Sequence, residues 1–119
     1  MKFLHCTIQT KDLAASVAFY KEIVGLHVVR QLDGPNGPRI VFLEDEGSQI
    51  ELIQSAKDTI EIGTDISIGF EVKSIEEMMA FLAEKGIPVA AGPFQPNPHT
   101  KFFYVLDPSG LRVQFAAHT

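Results

Sequence analysis

Four side chains that could bind a ligand or transfer a proton occupy matching positions in an internal repeat. Ser67 stands 62 positions after His5, and Gln114 stands 63 positions after Glu51. The repeat is marked by further pairs at the offset of 62, namely Ile8 and Phe70, Leu13 and Ile75, Phe19 and Phe81, and Glu22 and Glu84. An imidazole and a carboxylate can bind a metal ion or accept a proton, whereas a hydroxyl and an amide do so poorly. The first copy of the repeat therefore carries the better metal ligands and proton acceptors.

Alternating strands are predicted to hold these candidates. Residues 3–9 alternate so that His5 lies on the polar face, and residues 48–54 alternate so that Glu51 lies opposite the apolar face. Successive side chains of a strand point to opposite faces of its sheet. A histidine on such a face is ordinarily a structural residue. Only the position of His5 in the repeat, opposite Glu51, makes the ligand interpretation equally good.

Each half of the chain is predicted to contain a strand, a helix and then three strands. Asp12 and the Ser74 capping box mark the two helix starts, and Gly25 and Gly86 mark the ends. The helix in the first half should extend to the residue before Gly25.

The fold predicted from this order is α+β, with two βαβββ modules at about residues 1–54 and 65–119. Two such sheets, related by a pseudo-twofold, would form a half-barrel with outer helices and a concave surface between them. We expect one domain over residues 1–119, in which residues 55–64 connect the modules.

Further candidates lie in the last third of the chain. Residues 87–91 are predicted to be a short strand and residues 92–99 a proline-rich loop that carries His99. An exposed loop histidine is the simpler interpretation of His99, and a ligand role is the alternative. The pocket is further expected to be lined by Phe102 or Tyr104. Arg39 and Arg112 could bind an anionic substrate group, although a lone arginine is commonly only exposed.

Composition limits the partners. The chain has 119 residues, 45% of them hydrophobic, and a net charge of −5. Scattered basic residues argue against nucleic-acid binding, and no apolar run is long enough for a membrane span or resembles a secretory leader. The single cysteine, Cys6, cannot form an internal disulfide, which favours a reducing, cytoplasmic location.

Three segments together resemble one known family over nearly the whole chain. They are the opening LHCTIQTKDLAASVAFYKEIVGL, the strand QIELI and the closing FFYVLDPSGLRVQF. The chain resembles the vicinal oxygen chelate superfamily and, within it, the glyoxalase I-like proteins. That superfamily includes isomerases, epoxide-opening resistance enzymes, dioxygenases and metal-free drug-binding proteins.

The resemblance implies a divalent metal site with one ligand from each of four strands. His5 matches the first ligand and Glu51 the second. Ser67 stands where a glyoxalase I usually has histidine, and Gln114 stands where a glutamate both binds metal and acts as base. The remaining set of His5, Glu51 and Gln114 is predicted to bind Zn, Ni, Mn or Co weakly, or no ion at all.

Glu51 is then the one ligand able to act as the catalytic base, because an amide cannot accept the proton. The resemblance implies a metal-dependent lyase or isomerase for a small oxoaldehyde-type substrate. The alternative is a non-catalytic protein that binds a drug or metabolite, as bleomycin-resistance proteins do, and a degenerate copy without a ligand is a third possibility. We also expect a homodimer, because unpaired sheet edges are costly in water.

Overall fold

The computed structural model describes residues 1–33 and 37–119. Residues 33–38, whose glycines, prolines and asparagine predict a turn, lie partly outside the described residues. The chain divides into two compact units, Met1–Glu61 (unit 1) and Ile62–Thr119 (unit 2). The strands are Cys6–Thr10 (β1), His27–Asp33 (β2), Arg39–Asp45 (β3), Ser48–Gln54 (β4), Ser67–Glu71 (β5), Ala91–Asn97 (β6), Thr100–Leu106 (β7) and Arg112–His118 (β8). The α-helices are Leu13–Ala18 (α1) and Ile75–Glu84 (α2).

Unit 1 is a four-stranded sheet in the order β1-β4-β3-β2, with β1 parallel to β4 and the other pairs antiparallel. Asp12 caps α1 by accepting a hydrogen bond from the Ala15 amide at 3.0 Å. Ile8 and Leu52 are register partners on β1 and β4, and both are buried. Because α1 packs against β4, the buried face of this sheet is the one that carries Leu52.

Unit 2 repeats this plan, with the sheet order β5-β8-β7-β6 and α2 packed against β8 and β7. Ser74 caps α2 through its hydroxyl, which accepts a hydrogen bond from the Glu77 amide at 3.1 Å. Leu82, Val113 and Phe115 are almost fully buried. The prediction of an α+β fold built from two βαβββ modules is confirmed.

Two predictions about strands were wrong, and the first helix, which ends before Gly25 as predicted, is only partly α-helical. The first strand begins at Cys6, so His5 precedes it. The first helix changes at Phe19–Val24 into a π-helical segment, which ends at Gly25 with φ 92°. The proline-rich segment is strand β6, and the short strand predicted before it is absent from this described part of the chain. Proline is tolerated in β6 because an edge strand need not donate every amide, and its register with β7 is interrupted twice.

No helix among the described residues combines the length and the apolar character that crossing a membrane would require. Whether the two units form the single predicted domain stays a prediction.

Candidate functional site

His5 and Glu51 meet on one face of the unit 1 sheet. His5 Nε2 lies 3.2 Å from Glu51 Oε1, and both side chains are largely buried, with exposed fractions of 24% and 14%. Glu51 stands in the middle of β4, and His5 lies just before β1, which pairs with β4. The parallel pairing of these two strands therefore brings an imidazole and a carboxylate together, as the repeat predicted.

Two neighbours hold this pair in place. The Thr7 hydroxyl donates a hydrogen bond to Glu51 Oε1 at 2.5 Å, and Thr7 is the register partner of Glu51. The edge of the His5 ring packs on Phe42, with 5.7 Å between the ring centroids. Phe42 is the register partner of Glu51 on the other side, on β3. The carboxylate thus stands between a hydroxyl donor and an aromatic ring.

Unit 2 has a corresponding set of register partners across its sheet, with Gln114 at the position that Glu51 has in unit 1. Gln114 Nε2 donates a hydrogen bond to the Tyr104 hydroxyl at 3.0 Å, and these residues are register partners. Gly69 pairs with Gln114 on the other side, and a Cβ at Gly69 would lie 3.0 Å from Gln114 Oε1. The missing side chain at Gly69 makes room for the amide oxygen.

Other predicted pocket residues lie on the same face of unit 2. The Arg112 guanidinium carbon lies 4.2 Å from the centroid of the Tyr104 ring, and the Phe102 ring makes an edge contact with Tyr104 at 5.8 Å. Ser67 is exposed and is the register partner of Arg112. It lies two residues before Gly69 on β5, on the same face of the sheet. The structure therefore groups Ser67, Phe102, Tyr104, Arg112 and Gln114 within unit 2.

His99 is not part of that group. It lies in the turn between β6 and β7, beside a cavity of about 290 Å³ whose lining includes Lys73, Glu76 and Lys101 but not Gln114. The Lys101 ammonium forms an ion pair with Glu76 at 2.5 Å and lowers the pKa of that carboxyl. The simple interpretation of His99 as a loop residue agrees with this position.

Cys6 lies on the opposite face of β1 from Thr7, away from the carboxylate. Burial raises the pKa of the Cys6 thiol, which keeps it protonated at neutral pH. A nucleophilic role would require a lowered pKa, so the thiol does not belong to the site.

A divalent ion fits the pair in unit 1 only in part. Ligands about 2.1 Å from an ion and roughly at right angles stand about 3 Å apart, which agrees with the distance between His5 Nε2 and Glu51 Oε1. Within either unit, the described residues contain no cluster of three His, Cys, Asp or Glu side chains. His5 Nδ1 is buried and has no hydrogen-bond partner among the residues described. A metal-bound imidazole is usually fixed through its second nitrogen, so the missing acceptor weakens the site.

Sequence reasoning missed one residue on the face of His5 and Glu51. Arg30 of β2 places its guanidinium carbon 4.2 Å from the centroid of the Phe42 ring. No motif marks Arg30, because its position depends on an irregularity in strand pairing that alternation does not reveal.

Comparisons with known proteins agree with this architecture. The sequence model of the "Glyoxalase/Bleomycin resistance protein/Dioxygenase superfamily" matches residues 2–115. A probable lactoylglutathione lyase of Synechocystis sp. (strain ATCC 27184 / PCC 6803 / Kazusa) is 30% identical, with 96% of this chain and 93% of that protein covered.

Solved structures resemble the chain in fold. The E126Q mutant of the fosfomycin resistance protein FosX from Listeria monocytogenes, complexed with Mn(II) and 1S,2S-dihydroxypropylphosphonic acid, has a TM-score of 0.84 at 19% identity, covering 98% and 92% of the two chains. The trypanothione-dependent glyoxalase I of Leishmania major has a TM-score of 0.80 at 23% identity, covering 97% and 85%. With the family match across nearly the whole sequence, the chain belongs to the glyoxalase/bleomycin resistance protein/dioxygenase superfamily.

Proposed function

We propose that this protein is a divalent-metal-dependent lyase or isomerase that acts on a small oxoaldehyde-type substrate with neighbouring oxygens. The observation that carries the proposal is the approach of His5 Nε2 to Glu51 Oε1, at 3.2 Å, with both side chains largely buried. The likeness to a probable lactoylglutathione lyase supports the reaction class, and the likeness to FosX with Mn(II) supports the metal.

Three residues would hold the ion. His5 and Glu51 would supply a nitrogen and an oxygen, and Gln114 would supply its amide oxygen. A bound divalent ion would act as a Lewis acid on the substrate carbonyl. With one carboxylate among three ligands, we expect weak binding.

Glu51 is proposed as the base. It would take the proton from the sulfur-bearing carbon of the hemithioacetal that an oxoaldehyde forms with a thiol, and return it to the neighbouring carbonyl carbon. The hydroxyl proton would move to the former carbonyl oxygen, which gives a 2-hydroxy thioester. Thr7 would keep the carboxylate oriented through its hydrogen bond to Oε1. Ser67, Phe102, Tyr104 and Arg112 would line the substrate pocket. His99 would join this pocket only by a movement of its turn.

The test combines metal analysis with a lyase assay. Protein purified without chelator should contain a divalent metal or acquire it from Mn²⁺, Ni²⁺, Zn²⁺ or Co²⁺, and should form thioester from methylglyoxal and glutathione. His5→Ala should lose both the metal and the activity. His118→Ala is the matched control, because His118 forms an exposed pair with Glu71, at 3.8 Å, away from the proposed site. A His5→Ala protein with unchanged metal and activity would refute the proposal.

One observation favours a second function. Each unit taken alone offers at most two strong metal ligands in its described part. A protein of the bleomycin-resistance type, which binds a drug or metabolite without catalysis, would need no further metal ligands. Absence of metal and lyase activity, together with tight binding of an amphipathic compound, would favour this alternative.

We also propose that the protein forms a homodimer. Strands β2 and β6 end their sheets, and most of their residues are exposed, which leaves backbone groups available to a second copy. Sedimentation should show a species of twice the chain mass of 13.1 kDa. The predicted cytoplasmic location stays a prediction.

A further inference from the structure

Strand β2 contains an extra residue, and this residue decides which side chain of β2 lies on the same face of the sheet as Glu51. Val28 pairs with Leu43, but the next residue of β3, Phe42, pairs with Arg30 instead of Val29. A bulge of this kind adds one residue to one strand and redirects the side chains that follow. Without the bulge, an apolar valine would stand where Arg30 stands.

The bulge places Arg30 in line with the candidate site. The register partners across the sheet are Thr7, Glu51, Phe42 and Arg30, on four successive strands. Directly paired residues present their side chains on the same face. Arg30 and Glu51 are therefore separated by two strand spacings, roughly 10 Å between their backbones.

The Arg30 guanidinium lies over the Phe42 ring and is still available to a ligand. Its carbon lies 4.2 Å from the centroid of the Phe42 ring, within the range of a cation–π contact. Arg30 forms no ion pair with a carboxylate among residues 1–33 and 37–119. The side chain is exposed, so its donor groups face solvent.

Arg39 shows what a structural arginine of the same sheet does. Its Nε atom lies 3.1 Å from Asp33 Oδ1, and both side chains are more than half exposed. By strand alternation, Arg39 stands on the opposite face from Phe42. Its charge is neutralised by the protein itself, whereas the charge of Arg30 is not.

We propose that Arg30 binds an anionic oxyacid group, a carboxylate or a phosphonate, of the substrate whose reacting carbons lie at His5 and Glu51. The planar guanidinium can donate two parallel hydrogen bonds to such a group. The inference rests on the proposed function for the position of the reacting carbons, but the anion binding itself does not require catalysis.

The experiment measures anion binding directly on the metal-free full chain. ¹⁵N-labelled protein is titrated with butyrate, propylphosphonate and neutral butyramide at constant ionic strength, while the arginine Nε–H and backbone signals are followed by NMR. The same titrations are made with Arg30→Gln, Arg30→Lys and the control Arg39→Gln, each first shown to unfold at the wild-type temperature. Arg30→Gln keeps a polar side chain at this position but removes the charge and the guanidinium that lies over Phe42.

We expect wild type and Arg39→Gln to bind an anion but not butyramide, and Arg30→Gln to bind it roughly 10- to 100-fold more weakly. Arg30→Lys should fall between them, because a point charge does not replace a planar fork. Whichever anion binds more tightly identifies the group. Any of three results would overturn the inference. Arg30→Gln could bind the anion as tightly as wild type, wild type could bind butyramide as tightly as the anion, or wild type could bind no anion.

The outcome is separable from that of the proposed function. If wild type lacks metal and lyase activity but binds an anion through Arg30, the proposed function fails and the inference stands. If lyase activity is present and Arg30→Gln binds anions as tightly as wild type does, the proposed function stands and the inference fails.

Discussion

Gln114 and Tyr104 are joined across neighbouring strands by a hydrogen bond of 3.0 Å from the amide nitrogen Nε2 to the phenol oxygen. The bond orients the amide, so that Oε1 lies next to the space left by Gly69. An amide can bind a cation only through its oxygen. Tyr104 therefore decides how the proposed third ligand presents its binding atom.

Removing the phenol hydroxyl should release this amide. We expect Tyr104→Phe to lower the free energy of unfolding by about 1 kcal/mol, as for one lost hydrogen bond. We also expect Mn²⁺ affinity to fall by roughly tenfold, the usual effect of losing an outer partner of a ligand. Urea denaturation and Mn²⁺ titration measure the two effects. Unchanged affinity would remove Gln114 from the proposed ligand set.

Unit 2 can be given the pair that unit 1 already has. Ser67 and Gln114 stand in the same relation across β5 and β8 as His5 and Glu51 do across β1 and β4. The double variant Ser67→His with Gln114→Glu should therefore bring an imidazole and a carboxylate together, and tighten divalent binding by more than about tenfold. Calorimetric titration with Mn²⁺ measures the gain.

Gly69→Ala offers a control for this gain. The added methyl group would crowd the side chain at position 114, so the triple variant should lose part of the improvement while staying folded. A folded double variant with parental affinity would mean that these positions do not form a ligand pair.

Thr7 and Thr10 lie on the same strand and should respond differently to the same change. The exposed Thr7 donates to Glu51, so Thr7→Val should reduce the proposed metal affinity roughly tenfold, with little change in stability. Thr10 and Ser16 are fully buried and share a hydrogen bond of 2.7 Å. Thr10→Val leaves the Ser16 hydroxyl without that partner and should cost about 1–3 kcal/mol with metal affinity unchanged. The opposite pattern in the two assays would contradict the assignment of Thr7.

The Cys6 thiol should make stability fall at alkaline pH. Because burial raises its pKa in the folded state, the unfolded chain ionises first, and stability is lost as pH rises through the ordinary thiol pKa, about 8.5. Iodoacetamide should also react more slowly with the folded protein at that pH than with the protein in urea. Cys6→Ser should remove this part of the pH dependence, and equal alkylation rates in both states would contradict the effect of burial.

Much of the fold could be predicted because the repeat carries local signals. Alternation identified the strands that hold Glu51 and Gln114, and caps at Asp12 and Ser74 marked the helix starts. These signals depend on neighbouring residues alone. They failed at β6, where the partner strand β7 decides the structure and overrides the prolines.

The chemistry of the site depended more on tertiary structure. The repeat in the amino-acid sequence was enough to show that an imidazole and a carboxylate stand at repeated positions, with a serine and an amide at their counterparts. Only the pairing of β1 with β4 decided that His5 and Glu51 lie 3.2 Å apart, and only a bulge in β2 decided that Arg30 joins their face. A shift of one residue in register moves a side chain to the other face, and register is set by contacts between strands distant in sequence.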